Sequence, residues 1–267
     1  MPPTSTWTEK NRQVFDNQST TYKTDFAKVI QTLTRTILER RLWISNRWTD
    51  TYPASNPKAG TENETGDINN SNHIKMLEYA CGPGHISLAL SPFVNRIIGL
   101  DVSDGMISEF RKNVLAAGLS DDTVTAVKAD LLSEDPPPSS SSEVSGPEYF
   151  DFDIVVVSMA VHHFENPALA VRRLGERVKS GGVLVVVDLV PEEGDHGHGH
   201  GHGLENMGEV AGTISKHGFG FEEVREMFSD AGVGERFEYE VVEEPLVFEK
   251  EGNVFEKTIF IARGLKG

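Results

Sequence analysis

Cysteine and long apolar stretches are both scarce in this sequence. Cys81 is the only cysteine among the 267 residues, which excludes a disulfide bond within the chain. No apolar run approaches the roughly 20 residues of a membrane-spanning helix, and the first residues lack the apolar core of a secretory signal. We therefore expect a cytoplasmic protein with no membrane partner.

Positive charge is also in short supply. Lys and Arg number 25 against 41 Asp and Glu, so the formal net charge is -16. Proteins that bind nucleic acid usually neutralise its phosphates with clustered Lys and Arg, so we expect no nucleic-acid partner. Apolar residues make up 38% of the chain, which is enough for the core of one large domain.

Three stretches with almost no apolar residues divide the chain. They lie at residues 53–72, 133–148 and 195–203, and the last is the alternating run DHGHGHGHG. We predict a helical lid segment over residues 1–50, a flexible linker over 51–73 and one domain over 74–267, with surface loops inserted at 133–148 and 192–204. The alternating His could chelate a metal ion, but the intervening Gly residues provide no preformed geometry, and we expect no metal site.

The spacing of apolar residues predicts the secondary structure. Between residues 18 and 48 they recur every three or four positions, which predicts a helix. Short runs rich in β-branched residues predict strands at 74–80, 96–102, 124–130, 152–159 and 182–190, with helices between them at 85–93, 105–117 and 167–179. This alternation is typical of an α/β fold with a mostly parallel sheet and helices on both faces.

The C-terminal part departs from the alternation. A helix predicted at 221–231 is followed by two predicted strands, 237–244 and 254–264, with Gly252 and Asn253 as the turn between them. Two strands without an intervening helix are expected to pair as an antiparallel hairpin.

The loop after the first predicted strand indicates a ligand that approaches the backbone closely. Gly82 and Gly84 have no side chains, and a helix with free N–H groups follows them. Neither G-x-G-x-x-G nor G-x-x-x-x-G-K-[ST] is present, so the loop lacks a phosphate-binding pattern. Glu78 would oppose a phosphate and suits a cation.

Asp101 ends the second predicted strand. A carboxylate at this position can accept two hydrogen bonds from the vicinal hydroxyls of a ribose. Together with the glycine loop, it predicts a site for a nucleoside that carries a positive group.

Four segments resemble a known motif series: LEYACGPG at 77–84, IIGLDVSDGMI at 97–107, VKADLL at 127–132 and VVSMAVHHF at 156–164. The series is similar to that of class I S-adenosylmethionine-dependent methyltransferases, and most similar to the ubiquinone/menaquinone-biosynthesis-like group of small-molecule enzymes. The resemblance covers about residues 74–189 plus the terminal hairpin. It implies a Rossmann-like seven-stranded sheet in a methyltransferase domain, and S-adenosylmethionine as the cofactor.

The resemblance also implies roles for individual residues. It assigns the methionine part of the cofactor to Glu78 and the loop of Ala80, Cys81, Gly82 and Gly84. It assigns the ribose to Asp101, with Val102 beside it, and the adenine to Ser103, Met106, Asp130 and the backbone of Leu131. Ser158 would line the cofactor site, and Tyr22, with Phe15, would close over it or simply anchor the N-terminal helix. Two residues depart from the family pattern, because Glu78 replaces the usual Asp and Ala80 the usual Gly.

His162 and His163 follow the fourth predicted strand and are the candidate catalytic residues. An imidazole there could accept a proton from the substrate or orient its nucleophilic atom. Alternatively, it could serve ordinary polar packing.

The methyl acceptor is the least defined part of the prediction. The segment after the fourth strand lacks the [DN]-P-P-[FY] motif of amide- and adenine-methylating relatives, so we expect a small molecule methylated on O, N, S or C. We expect the N-terminal helix and residues 203–219 to wall its pocket. The alternatives are a protein or RNA methyltransferase, or a catalytically silent cofactor-binding regulatory subunit. The sequence does not specify the oligomeric state.

Overall fold

The computed structural model describes residues 6–49, 73–132, 144–192, 204–250 and 252–267. Most of the predicted linker at 51–73 and most of the two predicted loops, at 133–148 and 192–204, lie outside these ranges. The predictions made for those segments, including the alternating His run, therefore stay predictions.

A seven-stranded sheet forms the centre of the described fold, with a separate two-stranded sheet beside it. The strands are β1 (Lys75–Tyr79), β2 (Arg96–Asp101), β3 (Val124–Lys128), β4 (Phe152–Ser158), β5 (Val178–Leu189), β6 (Glu235–Val241), β7 (Leu246–Lys250), β8 (Asn253–Lys257) and β9 (Ile259–Leu265). The large sheet has the order β3-β2-β1-β4-β5-β9-β6, and β7 pairs with β8. The predicted α/β, Rossmann-like, mostly parallel sheet of seven strands is confirmed.

The strand order positions the functional site. β1 pairs in parallel with β2 on one side and with β4 on the other. The strand order therefore reverses at β1: β2 and β3 follow on one side of it, and β4 and β5 on the other. Open α/β sheets bind ligands outside the carboxyl ends of the strands at such a switch point. A ligand site is therefore expected at the carboxyl ends of β1, β2 and β4.

Helices cover the two faces of the sheet. They are α1 (Trp7–Gln18), α2 (Tyr22–Asp25), α3 (Ala27–Glu39), α4 (Arg41–Ile44), α5 (His85–Leu90), α6 (Asp104–Ala116), α7 (Pro167–Arg177) and α8 (Phe221–Asp230). Neighbouring residues of a strand point to opposite faces, so Met76 of β1 packs in the core under α3, α5 and α6, whereas Leu77 packs in the core under α7 and α8. Both faces are buried, as the continuous apolar strands predict.

The N-terminal segment differs from the single helix predicted between residues 18 and 48. The chain leaves helical geometry at Phe26 and again at Arg40, which separates α2, α3 and α4. Only α3 shows the predicted apolar stripe, with Val29, Leu33 and Ile37 buried. α1 lies within the helical segment predicted over residues 1–50, but its bounds were not predicted, because the segment WTEKNRQVFDNQ is mostly polar. The Thr6 side chain caps it by accepting a hydrogen bond from the Glu9 N–H.

The predicted antiparallel pairing of the two C-terminal strands is confirmed, because β6 pairs with β9, but the predicted turn between them is not the one that the chain uses. The turn at Gly252 joins β7 to β8, and these two strands form the separate small sheet. The predicted strand 254–264 is interrupted at Thr258, and its second half, β9, lies between β5 and β6 and is antiparallel to both. The turn residues were recognised, but they connect an inserted hairpin.

The small hairpin packs against α3. The Phe248 ring of β7 meets the Phe26 ring edge-on, with their centroids 6.3 Å apart.

In the part of the chain that the structure describes, no helix combines the length and the apolar character needed to cross a membrane.

Candidate functional site

A cavity of about 510 Å³ opens at the carboxyl ends of the central strands, between the sheet and α1. This volume is in the range of small-molecule sites in proteins. Many residues predicted from the sequence line it: Tyr22, Ala80, Gly82, Asp101, Val102, Met106, Asp130, Ser158 and His163. Six others do not line it and lie behind the lining: Glu78, Cys81, Gly84, Ser103, Leu131 and His162.

The turn after β1 has a left-handed backbone. Ala80, Gly82 and Gly84 have φ angles of 52°, 50° and 81°. This conformation costs a residue with a side chain roughly 1–2 kcal/mol. The cost explains why Gly would be the natural choice at position 80, and Ala80 adopts the strained conformation nevertheless.

The two glycines of this turn have different reasons to lack a side chain. A Cβ on Gly82 would meet no atom within 4 Å, so the space beside this backbone is open. A Cβ on Gly84 would lie 2.5 Å from the Phe110 ring, so Gly84 is needed for packing against α6. Cys81, which directly precedes Gly82, is buried in the apolar core beside Gly99.

Glu78 lies beneath the turn and binds the following helix. Its carboxylate accepts a hydrogen bond of 2.9 Å from the Ser87 N–H and another from the Ser87 hydroxyl. Burial raises the pKa of Glu78 to about 7, although both bonds from Ser87 lower it. The side chain therefore connects β1 to the first turn of α5 and supports the glycine turn from behind.

Asp101 lies at the end of β2 and does line the cavity. One carboxylate oxygen accepts a hydrogen bond from the Gly82 N–H at 2.8 Å, and the other accepts one from the Ser103 N–H at 2.9 Å. Burial raises the pKa of Asp101 to about 6, and the nearby Asp16 adds to the rise. A buried carboxylate beside an open backbone turn is suited to a ligand that carries hydroxyl donors and positive charge.

Asp16, at the end of α1, was missed by the sequence analysis. Its carboxylate accepts hydrogen bonds from the Ser103 hydroxyl at 2.6 Å and from the Gly105 N–H at 2.9 Å. A carboxylate at a helix N-terminus is favourable, and this one attaches α1 to the start of α6. A Cβ on Gly105 would lie 2.5 Å from the Ser19 hydroxyl, so the close approach of the two segments requires glycine.

The ends of β3 and β4 complete the half of the cavity near Asp101. Asp130 accepts a hydrogen bond from the Leu132 N–H at 2.8 Å. Tyr79 also lines the cavity, although the sequence analysis did not select it, and its hydroxyl accepts a bond of 3.3 Å from the Leu131 N–H. Ser158 ends β4, and its hydroxyl oxygen is buried without a hydrogen-bond partner among the described residues.

The two candidate catalytic histidines occupy different positions. His163 lines the cavity, whereas His162 lies behind it with its ring centroid 4.1 Å from that of His163. Nδ1 of His162 is 2.7 Å from a carboxylate oxygen of the buried Asp188. Nδ1 of His163 is 3.1 Å from the backbone oxygen of Thr213, and burial lowers the pKa of His163 well below its ordinary value. His163 is thus a neutral imidazole at the cavity wall.

Helix α1 closes the cavity over His163. The Trp7 indole N–H and the Asn11 amide both donate hydrogen bonds to the His163 backbone oxygen, at 2.7 and 3.0 Å. The Phe15 ring meets the His163 ring edge-on at 5.1 Å. Together with Tyr22, these residues line the cavity, so the N-terminal segment forms one wall of it, mostly through α1 and not through the helix predicted between residues 18 and 48.

The prediction that residues 203–219 form a second wall of the cavity is wrong for the described residues of that segment. That segment does not line the cavity; it supports the histidines through Thr213 and through Ser215, whose N–H donates to the His162 backbone oxygen at 2.8 Å. The connection from β4 to α7 takes its place, with Met159, Phe164 and Glu165 in the lining. Across the described ranges, no group of three or more His, Cys, Asp or Glu side chains is arranged to hold a metal ion.

Comparison with known proteins identifies the domain. Residues 77–184 match the family model described as a methyltransferase domain. A curated relative from Schizosaccharomyces pombe, described as an uncharacterised methyltransferase, is 29% identical over 179 residues, which are 65% of this chain and 59% of the relative. The chain thus spans less than two thirds of that relative's length.

Solved structures establish the same fold. A methyltransferase of Thermotoga maritima dependent on S-adenosylmethionine has a TM-score of 0.58 at 16% identity, over 96% of this chain and 99% of its own. Phosphoethanolamine N-methyltransferase 2 of Haemonchus contortus, in complex with S-adenosylmethionine, has a TM-score of 0.50 at 16% identity, over 73% of this chain and 49% of its own. These findings agree with the resemblance seen in the sequence: residues 77–184 match a methyltransferase domain, and the chain has the fold of a methyltransferase dependent on S-adenosylmethionine.

Proposed function

We propose that this chain is a methyltransferase that uses S-adenosylmethionine to methylate an O, N, S or C atom of a small molecule. One observation carries the proposal. Asp101 and the open backbone of Gly82 lie side by side at the switch point of the sheet, on a cavity that also exposes a neutral imidazole, His163.

The residues present fit the cofactor. The space beside Gly82 is free of protein atoms, and the hydroxyl of Ser158 is buried without a partner among the described residues. The carboxylate of Asp101 adds to the raised pKa of Glu78, and that of Asp16 adds to the raised pKa of Asp101, so negative charge is concentrated here and favours a cationic ligand. We propose that Gly82, Asp101, Met106, Asp130 and Ser158 hold it, with Glu78 and Ser103 supporting them from behind.

Few catalytic groups are needed for such a reaction. The cofactor, when bound, supplies a methyl group on a sulfonium, which is a good leaving group. The protein then has to align the acceptor atom with that methyl group and exclude water. Helix α1 can do both, because Trp7, Asn11 and Phe15 wall the cavity over His163.

We assign the proton-accepting role to His163. Because Nδ1 donates to Thr213, the lone pair of the neutral ring lies on Nε2. An acceptor hydroxyl or amine could give its proton to this atom as the new bond to carbon forms. His162 would position the His163 ring from behind.

Calorimetric titration with S-adenosylmethionine tests the proposal. The wild-type chain is expected to bind, and Asp101→Ala to bind more weakly by about 1.5–3 kcal/mol, the scale of hydrogen bonds to a charged group. Asp101→Asn keeps one acceptor oxygen for the turn and checks that the loss is not unfolding. Asp104→Ala, on an exposed neighbouring residue, is the matched control.

A second measurement addresses the nature of the acceptor. Incubation with labelled cofactor and an extract of the source cells is expected to label a small molecule. Label in RNA or in a protein band would instead support the alternative acceptors. Cofactor binding without any transfer would support a silent regulatory subunit, and absence of binding would refute the proposal.

A further inference from the structure

The part of the cavity between α1 and the β4–α7 connection has aromatic walls and no cationic group. The rings of Trp7, Phe15 and Phe164 line it. Among the described residues that line the cavity, none is Lys or Arg, and on this part the only charged side chain is the exposed Glu165. The Lys10 ammonium lies 5.2 Å from the centroid of the Trp7 ring, but it is exposed, is outside the lining and donates to the Gly212 backbone oxygen. An anionic acceptor would therefore enter this space without a counter-charge in the lining, which is unfavourable in a partly desolvated site.

Asn11 contributes an unsatisfied hydrogen-bond acceptor to the same part of the cavity. The residue is 8% exposed, and its Nδ2 donates to the His163 backbone oxygen at 3.0 Å. Because a carbonyl oxygen can only accept, this bond identifies Nδ2 as the donor and leaves Oδ1 for another partner. Oδ1 is buried and has no hydrogen-bond partner within the described ranges. Such an atom is costly unless a ligand donates to it.

His163 provides the second acceptor. Its Nδ1 lies 3.1 Å from the Thr213 backbone oxygen and 3.0 Å from the Thr213 hydroxyl oxygen, and that hydroxyl donates in turn to the Val210 backbone oxygen. Both oxygens therefore accept from Nδ1, which must carry the proton. Nε2 is then the ring nitrogen that can accept a hydrogen bond from a ligand in the cavity.

We infer that Asn11 is a specificity-determining residue, which together with His163 selects an uncharged aromatic acceptor bearing O–H or N–H groups and disfavours anionic acceptors. The inference rests on the proposed function, since it names the acceptor class of the same site. The aromatic walls favour a flat ring, Asn11 Oδ1 and His163 Nε2 favour hydrogen donors, and the absence of a lining cation disfavours carboxylates and phosphates.

Two matched pairs of probes test the inference by calorimetry, with and without S-adenosylhomocysteine. The first pair, para-hydroxybenzamide and para-hydroxybenzoate, differs in charge. The second pair, para-cresol and its methyl ether, differs in the donor. We expect the neutral member of the first pair to bind at least about 10-fold more tightly, and the phenol of the second pair about 5-fold more tightly than its ether.

A variant connects the donor preference to Asn11. Asn11→Leu is expected to reduce the preference for the phenol over its ether, because the leucine side chain cannot accept a hydrogen bond and His163 Nε2 is then the one acceptor left of the two. Trp7 still donates to the His163 backbone oxygen in this variant. Asn17→Leu, on the exposed side of the same helix, controls for changes in α1 and should keep the preference.

The outcomes separate the inference from the function on which it rests. Equal or tighter binding of para-hydroxybenzoate, an unchanged phenol preference in Asn11→Leu, or no binding of any ring would overturn the inference. Failure of S-adenosylhomocysteine to bind would refute the proposed function instead, and the probe preferences measured without it would still decide the inference.

Discussion

Nδ1 of His162 lies 2.7 Å from Oδ1 of Asp188, and both side chains are buried at the ends of β4 and β5. Asp188 Oδ2 also accepts a hydrogen bond from the His162 N–H at 3.3 Å, and Oδ1 accepts one from the Leu189 N–H at 2.7 Å. The pair therefore connects the turn that carries both histidines to the neighbouring strand. It holds the position of His163 without lining the cavity.

This arrangement predicts different results for the two histidines. His163→Gln should lower kcat by about 100-fold or more, the scale of general acid–base catalysis, with little change in cofactor affinity. His162→Gln should mainly lower the free energy of unfolding, by about 1–3 kcal/mol, because it disturbs a buried pair. Steady-state kinetics and urea denaturation of both variants measure these effects. A larger loss of kcat in His162→Gln would reverse the assignment.

The glycine turn gives a second pair of predictions. Gly82→Ala should weaken binding of S-adenosylmethionine while lowering stability only by the backbone cost of about 1–2 kcal/mol. Gly84→Ala should lower stability further, since its Cβ would lie 2.5 Å from the Phe110 ring. Denaturant unfolding and calorimetry on both variants distinguish the two. If they lose equal stability and equal affinity, the division of roles between the glycines is wrong.

Asp16 should control how firmly α1 is attached. Asp16→Ala removes the acceptor for the Ser103 hydroxyl and the Gly105 N–H, at a cost of about 1–3 kcal/mol. We expect hydrogen exchange of the α1 amides to accelerate by at least about 10-fold, with α3 unchanged. Asp25→Ala is the control, because Asp25 accepts a hydrogen bond from the nearby Thr21 hydroxyl in the same segment. Unaltered exchange in α1 would show that other contacts hold this helix.

Glu78 predicts how stability depends on pH. Burial raises its pKa from 4.5 to about 7 in the folded chain, so folding favours the protonated form. Its contribution to stability is fully present below the unfolded value of 4.5 and is lost as the pH rises through about 7.

Glu78→Gln stays neutral and should remove this dependence. Relative to the variant, wild type should lose on the order of 3 kcal/mol between pH 4 and pH 8. Urea unfolding at several pH values measures the difference, and Glu165→Gln, at an exposed carboxylate, is the control. A constant difference across this range would contradict the assignment.

The sequence predicted the parts of this structure that depend on local pattern. Five parallel strands, the glycine turn and the acid at the end of β2 follow from apolar runs and from residues next to one another in the chain. The bounds of α1 were not predicted, because its contacts with the rest of the protein are largely polar and leave no apolar stripe to detect. The C-terminal pair of strands was predicted correctly, but the β7–β8 hairpin inserted between them was missed, because a turn signal does not show which strands it joins.

The remaining site features depend on residues far apart in the sequence. Gly82 and Gly84 look equivalent until Phe110 is placed against one of them. His162 and His163 are distinguished by Asp188 and Thr213, which lie 26 and 50 positions further along the chain. Asp16 and Asn11 acquire roles only when α1 lies on α6 and on the turn after β4. No residue spacing in the sequence encodes these pairings.

The inserted β7–β8 hairpin has a consequence for α1. The hairpin packs against the start of α3 through the rings of Phe26 and Phe248 and through the ion pair Lys28–Glu249. The ion pair Arg35–Glu244, just before β7, adds a further contact with α3. α1 ends at Gln18 and α3 begins at Ala27, so α1 is tethered to this anchored helix by eight residues, four of which form α2. A cover on so short a tether stays at high local concentration, and its return competes effectively with escape of whatever lies beneath it.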